Sequence, residues 1–456
     1  MDPQSPPTAT WTTARPLAPW LLAVILVAIA THIFTFFASD YEPSIDAKEY
    51  FALGTSLSDD GELCLPDGCR AKRMPLWPAT IALADAWQGR ELLPHAIFEI
   101  QAVLSLMSVI FIALNAAKFA GPSAGLLAGL IAALYAPYRA LQASYLCETM
   151  AIFFLTGAFL AYLSSLRAKS TASTWSAMTA ASVALGLAVL TRADAVVMAI
   201  PFAIDTLIRR NPIGVRIARA SALLACVIIA SFAWGLRNER TIGRFTLSTI
   251  GGLNFHLGNC DAYAENPGMN NADYAAFDRL REGGGLSEVE ADRRLSAEGR
   301  QFALAHPSVT AANALRKTRV WFQSNVTWSA PTSLLLILWT LAFRGPGPAR
   351  RFFFGVATAW LLIWCIVLEE TVRPWANPLF VVPLGLIGMA IMKDQIGLRR
   401  LLICIVIAQL AIAIVFIPLE RLRWTIDWVF IIAIAAATAR FCVAHSHTQQ
   451  DIESSV

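Results

Sequence analysis

Long apolar runs separated by short basic turns set the pattern of this chain. A helix that crosses a bilayer needs about 20 mainly apolar residues, or as few as about 17. The runs at 17–38, 97–117, 121–137, 148–166, 174–190, 193–208, 214–235, 330–343, 352–368, 376–392, 401–418 and 427–443 meet or approach that length. Two polar stretches interrupt them, 39–96 and 236–329. The pattern predicts an all-α polytopic membrane protein, a bundle of about 12 transmembrane helices with interfacial helices and an α-rich region outside the membrane. It divides into a tail (1–16), an N-terminal transmembrane region (17–235) holding the first large loop, a polar segment (236–329), a C-terminal transmembrane region (330–443) and a second tail (444–456). The first run is longer than a signal-peptide core and no small-x-small cleavage site follows, so it reads as a retained anchor.

Composition agrees with this pattern. Of 456 residues, 56 % are apolar and only 15 % charged, against about 25 % charge in soluble domains. A soluble core of this size would split beyond about 250–300 residues, so the bilayer is what takes up the excess apolar surface. Disorder, collagen and small disulfide scaffolds are excluded, and a net charge of +4 argues against a nucleic-acid partner. Lys and Arg orient the bundle. One set of short loops and ends carries fifteen of them; the other carries five, Arg139, Arg192, Arg373, Arg421 and Arg423. Both termini are therefore expected in the cytoplasm, with 39–96 and 236–329 on the periplasmic side of an inner membrane. There Cys64 and Cys69 flank a Pro-Asp-Gly turn, and a disulfide between them is expected, with two free thiols as the alternative.

Carboxylates gather on that outer side, next to span ends, where Ser or Asn would serve a merely polar loop. Ser44 can cap a helix whose Tyr50, Leu53 and Leu57 form one stripe. Asp46 precedes Tyr50 by four residues and sits at the helix N-terminus, where the helix dipole favours a carboxylate. In Arg73-Met74-Pro75-Leu76-Trp77-Pro78 the prolines predict an extended loop carrying a cation suited to phosphate. Glu148 opens an apolar helix, an expensive place for an ionisable group unless it has a task. Arg192 and Asp194 read as a local pair. Arg237, Arg240 and Arg244 lead into the run Ser248–Asn259, whose Gly251-Gly252, Asn254, His256 and Asn259 suit an anionic or sugar-like ligand. Because no strand–GxGxxG–helix context surrounds Gly251-Gly252, it is no dinucleotide fingerprint. Residues Asn270–Gln301 read as polar helices around Gly283-Gly284-Gly285, and the turns at 369–374 and 420–423 add charge to the same face.

In this order the segments resemble the GT-C superfamily of membrane glycosyltransferases, on the family 39 branch that includes protein O-mannosyltransferases and lipid A aminoarabinose transferases. The resemblance rests on an anchor span, then Asp46 with Tyr50, then Arg73-Met74-Pro75-Leu76-Trp77. Glu148, Leu190-Thr191-Arg192 and the run Arg237–Asn259 complete it. It implies a GT-C-like bundle and a polyprenyl-phosphate sugar donor used on the outer face. Asp46 would be the catalytic carboxylate, with Asp40 its rival, Glu148 a second acid and Arg73 a donor-phosphate ligand. Where the family often has Asp-Glu and basic-Pro-Pro, this chain has Asp46-Ala47 and Arg73-Met74-Pro75, which bears on subfamily and acceptor. Arg192, Arg237 and Arg240 are further candidates for the phosphate. Tyr50, Trp77, Asn254, His256, Asn259 and Arg373 are candidates for the sugar or acceptor. Some superfamily members use a divalent cation, for which this sequence offers Asp46, Glu148 and neighbouring acids but no distinct ligand cluster. The chemistry fits independently of the resemblance: a base must take the acceptor proton, and fixed cations must hold the departing phosphate. The acceptor could be lipid A, another glycan or a protein. An O-antigen ligase or polymerase, or a transporter, are the other readings.

Overall fold

The apolar runs form helices wherever the chain is described, namely residues 18–38, 44–265, 273–322, 378–392 and 396–439 of a computed structural model. In chain order these are α1 (Pro19–Ala38), α2 (Ile45–Asp60), α3 (Leu76–Gln88), α4 (Leu93–Ala120), α5 (Pro122–Leu134), α6 (Ala136–Ala143), α7 (Glu148–Arg167), α8 (Thr171–Thr191), α9 (Ala195–Leu207) and α10 (Ile213–Ile242). Then come α11 (Gly251–Gly258), α12 (Asp261–Glu265), α13 (Ala276–Glu282), α14 (Glu288–Ala305), α15 (Pro307–Phe322), α16 (Pro378–Ile391), α17 (Ile396–Val415), α18 (Glu420–Trp424) and α19 (Asp427–Ala439). No strand occurs among the described residues. The all-α polytopic architecture expected from the sequence is what is found.

Six of the described helices, α1, α4, α7, α8, α10 and α17, are long and apolar enough to cross a membrane. The bent pair α5–α6 would make a seventh. The expected spans 330–343 and 352–368 lie outside the described residues. The expected span 121–137 does not run straight: the chain breaks at Tyr135 and bends by 49°. Pro137 lacks the N–H that would continue the helix of α5 and instead sits in the first turn of α6, where that donor is not needed. The same rule corrects the extended loop expected at 73–78. Pro75 stands just before α3 and Pro78 falls in its first turn, so both prolines start a helix rather than forbid one.

Buried polar cross-links fix the register of the bundle. Asn115 of α4 donates to the Thr156 carbonyl of α7 at 3.1 Å, and Gln101 of α4 donates to the Leu146 carbonyl at 2.6 Å, just ahead of α7. Tyr135, at the α5–α6 break, donates to Asp427 at 2.6 Å. Arg423, 1 % exposed, lies 3.3 Å from the same carboxylate and donates to the Trp321 carbonyl at 2.9 Å. Outside the spans, α11, α13 and α14 pack against α2, with Leu53, Leu253, Leu257, Phe277 and Leu295 in one core. The break at Gly283–Gly285 and the capping box of Ser287 and Glu290 that starts α14 match the helices expected around the glycine run.

Two contacts hold this outer layer to the helices beneath it. Gly54 brings α2 onto α3 so closely that an added Cβ would lie 2.4 Å from Ile81. Lys317 of α15, 1 % exposed, donates to the Ile414 carbonyl of α17 at 3.0 Å, and its ammonium lies 5.6 Å from the Tyr263 ring. Burial lowers its pKa from 10.5 to about 8.

Gly54→Val should destabilise the detergent-solubilised protein by about 1–3 kcal/mol, and Ile81→Ala should recover part of that loss. A thermal midpoint unchanged by Gly54→Val would contradict the close packing. For Lys317 the folded pKa lies below the unfolded one, so the unfolded chain binds more protons between about 8 and 10.5. Stability should therefore rise with pH across that window, and Lys317→Met should lose the rise. Equal slopes in the two proteins would contradict the buried ammonium.

Candidate active site

The site starts at the first turns of α2. Ser44 accepts from the Ala47 amide and caps the helix, and helical spacing then sets Asp46, Glu49 and Tyr50 side by side. The facing segment is the loop 70–73. Glu288 of α14, 6 % exposed, accepts from the amides of Arg70 (2.8 Å) and Ala71 (3.2 Å) and from the Thr249 hydroxyl (2.8 Å). Ser248 donates to the Lys72 carbonyl at 2.8 Å and Arg237 to that of Arg70 at 2.6 Å. Fixed in this way, the loop presents two cations to α2. Lys72 lies 2.7 Å from Glu49 and over the Phe277 ring. Arg73 donates to Glu49 at 2.7 Å, pairs with Asp46 and lies over the Tyr50 ring.

The turn before α7 supplies the opposite wall. Tyr145 there has φ +52°, a left-handed conformation that costs a non-glycine residue free energy. The Trp77 indole, donating to the Tyr145 carbonyl at 2.9 Å, and Gln101 on the next carbonyl hold it. Cys147 then meets the Tyr50 hydroxyl at 3.1 Å. Glu148, 2 % exposed, lies 2.8 Å from Arg192, which also grips Asp194 at 3.0 Å. Arg421 of α18 pairs with Asp46, and its Nε lies 3.8 Å from Glu148. Five carboxylates, Asp46, Glu49, Glu148, Asp194 and, 3.5 Å from Lys72, Asp278, thus face four cations, Lys72, Arg73, Arg192 and Arg421. Every cation in it is matched by at least one carboxylate.

Its electrostatics follow from that pairing. Burial would raise the Asp46 carboxyl, but the Arg73 and Arg421 guanidinium groups outweigh burial and hold it well below the usual carboxylate range. Burial would lower Lys72 and Arg421, and their carboxylate partners raise both instead. The Tyr50 phenol, pushed far up by burial beside Cys147, stays protonated. Tyr274, from the segment preceding α13, is within electrostatic reach of Arg421 and Asp46. Arg421 stands between Asp46 and Glu148, the two acids most suited to share a cation. Among the described residues, no three His, Cys, Asp or Glu side chains gather as a metal site.

The structure therefore joins five of the residues expected from the sequence: Asp46, Tyr50, Arg73, Glu148 and Arg192. Trp77 is fully buried beneath the turn it holds. Arg237 braces the loop and stacks over Trp234, and Arg240 is exposed near the end of α10. Within the Gly251-Gly252 run, Gly252 serves packing: its amide donates to Asp292 at 2.6 Å, and an added Cβ would lie 2.1 Å from the Asp292 carbonyl. Asn254 is half-buried on α11, and His256 lies 3.7 Å from Glu298. Asn259 donates to the Phe255 and Val415 carbonyls. Asp40 and Arg373 lie outside the described residues. The expected Cys64–Cys69 disulfide is not formed, and both are free thiols. The turn directs the Cys69 sulfur to Arg281 at 2.8 Å and to Asp67, while Cys64 faces the Leu65 carbonyl. Glu49, Lys72 and Arg421 were not singled out from the sequence. A signal for Arg421 existed, since it is one of the few basic residues in the outer turns.

Comparison with known proteins places this arrangement. Residues 75–234 match the family described as dolichyl-phosphate-mannose-protein mannosyltransferase. The fold is similar to that of the archaeal oligosaccharyltransferase AglB from Archaeoglobus fulgidus, solved with an inhibitory peptide and a dolichol-phosphate. That likeness has a TM-score of 0.50 and 13 % identity over 96 % of this chain and 51 % of that one. ArnT from Cupriavidus metallidurans, solved with undecaprenyl phosphate, also matches at TM-score 0.40 and 12 % identity, over 93 % of this chain and 78 % of that one. This chain spans about half the length of the oligosaccharyltransferase. No curated protein matches the sequence. The GT-C resemblance is borne out, and the chain is a polytopic membrane protein of that fold.

The lowered Asp46 pKa has a stability consequence. Its folded value lies below its ordinary 3.8, so the ion pairs contribute fully above that pH and drain away as pH falls through the folded value. On acidification from about pH 5 to 3 the native protein should lose more stability than Asp46→Asn, whose acid limb should be flatter. Parallel acid limbs would show that Asp46 is not held as an ion pair.

Proposed function

We propose that this chain is an inverting glycosyltransferase of a bacterial inner membrane. It would move a sugar from a polyprenyl-phosphate donor to a hydroxyl group of a lipid, glycan or protein on the periplasmic side. The observation that carries this reading is Asp46 held between Arg73 and Arg421, with Glu148 sharing Arg421. Sugar transfer from a lipid phosphate needs those two functions side by side: a carboxylate for the acceptor proton and guanidinium groups for the leaving phosphate.

In the proposed reaction the donor phosphate takes up Arg73 and Arg421. Asp46, relieved of both partners, recovers the basicity that the ion pairs suppress. The acceptor oxygen forms a bond to the anomeric carbon as the bond from that carbon to the phosphate oxygen breaks. The acceptor proton passes to Asp46, and the electron pair leaves on the polyprenyl phosphate, held by the two arginines. Arg192 pairs with Glu148 at the wall, and the Tyr50 ring supports the Arg73 guanidinium. The dolichol-phosphate of the solved oligosaccharyltransferase is a lipid phosphate of the kind this pair of arginines would hold.

The network draws on the loop after α1, the turn before α7 and the late turn at 421. An O-antigen ligase or polymerase would instead centre on the late large loop. A transporter would place ionisable residues near mid-span, whereas the ion pairs here gather at helix ends.

Asp46→Asn should lower sugar transfer from a polyprenyl-phosphate donor by about 10²–10⁴-fold. Arg73→Ala and Arg421→Ala should raise the donor KM far more than the acceptor KM. An active Asp46→Asn with an inactive Asp40→Asn would move the base to Asp40. Full activity in both variants would overturn the mechanism.

A further inference from the structure

The end of the bundle away from Asp46 carries a second constellation that sugar transfer does not use. Helix α7 begins at Glu148 in the network and ends at Arg167. Its 20 residues separate the two ends by about 30 Å, the thickness of a bilayer core. At the far end the helices leave a cavity of about 510 Å³, within the usual range of about 300–1,000 Å³ for ligand sites. Phe119 of α4 with Leu163 and Leu166 of α7 make its apolar wall. Arg167 and Arg209 supply cations, and the first turn of α17 lines the remaining side. The Arg209 guanidinium lies over that turn, with Nη2 3.8 Å from where a Gly397 Cβ would be.

Among the described residues, charge at this end is unbalanced. Asp205, 1 % exposed, is the carboxylate among the described residues here, and it accepts from Tyr162 (2.6 Å), Arg209 (2.8 Å) and Arg400 (2.8 Å). One negative charge thus answers two arginines, while Arg167 is exposed at the rim, and the N-terminal dipole of α17 adds to the positive side. Arginine forks match phosphate oxygens, and basic pockets between membrane helices suit lipid head groups. An apolar wall running into the bilayer would take acyl chains.

We propose that this cavity binds an anionic phospholipid of the leaflet opposite the Asp46 network. Its phosphate lies between Arg167 and Arg209, and its chains lie along Phe119, Leu163 and Leu166. Such a lipid ties α4, α7, α9 and α17 together at one end. At their other ends α7 carries Glu148, α9 adjoins Arg192 and Asp194, and α17 leads to Arg421.

The test is binding to the full-length protein in detergent, read by native mass spectrometry and thermal shift, with no need for an activity assay. Dioleoylphosphatidylglycerol should be retained and should raise the unfolding temperature more than dioleoylphosphatidylcholine with the same chains. Arg167→Gln, at an exposed position, should keep the lipid-free unfolding temperature and weaken phosphatidylglycerol binding about fivefold. Leu166→Trp should weaken it by filling the cavity. Equal retention of the two lipids, or no change in Arg167→Gln, would overturn the proposal. So would an equal shift from inorganic phosphate alone, which marks a free-anion site. Displacement of phosphatidylglycerol by lower concentrations of a polyprenyl phosphate would assign the cavity to a carrier lipid and overturn it as well.

Discussion

A carboxylate withdrawn from water costs several kcal/mol unless opposite charges meet it, and Asp46 is met by two. Arg73 arrives from the loop before α3 and Arg421 from the short helix after α17, 375 residues along the chain from Asp46. Most of what surrounds this contact serves to keep those three side chains in register. Glu288 fixes the loop that carries Arg73, and the Arg423–Asp427–Tyr135 knot anchors the turn that carries Arg421. The α5–α6 bend sets Tyr135 where it meets Asp427.

The pairing also accounts for the arginines on the face that the Lys and Arg count reads as the outer one. Of the five basic residues read from the short outer turns, Arg192 and Arg421 sit in the ion-pair network, and Arg423 is buried against Asp427. Each is matched to a carboxylate, so in the proposed reaction a phosphate would take its guanidinium from one of them. In the proposed reaction that exchange would couple donor binding to the basicity of Asp46. The resting ion pairs hold the Asp46 carboxyl below its ordinary range, and on the proposed mechanism the substrate that needs the base would be what releases it.

The fold was legible in the sequence because bilayer burial imposes long apolar runs, and α4, α7, α8 and α10 fall where those runs predict. The α2 helix was legible too, from the Ser44 cap and the Tyr50–Leu53 stripe. Proline misled in one place: beside Pro75 and Pro78 the chain starts α3, because a proline at a helix start forfeits no hydrogen bond. Within the site, Asp46, Arg73 and Glu148 stood out as charges at span ends. Glu49, Lys72 and Arg421 did not, since their meaning comes from partners far away in sequence. Asn259 illustrates the reverse. Polar residues in a Gly-rich run suggested a ligand, yet Gly252 packs on α14 and Asn259 bonds to backbone at the end of α17.

The most direct measurement of the central claim is the affinity of the Asp46→Asn protein for polyprenyl phosphate, compared with the native protein. If the Asp46 carboxylate competes with the lipid phosphate for Arg73 and Arg421, removing its charge should tighten binding by about tenfold or more even as transfer is lost, and Arg421→Gln should abolish that gain. Binding that is unchanged or weaker in Asp46→Asn would contradict the account, because the carboxylate and the phosphate would not be sharing the same arginines.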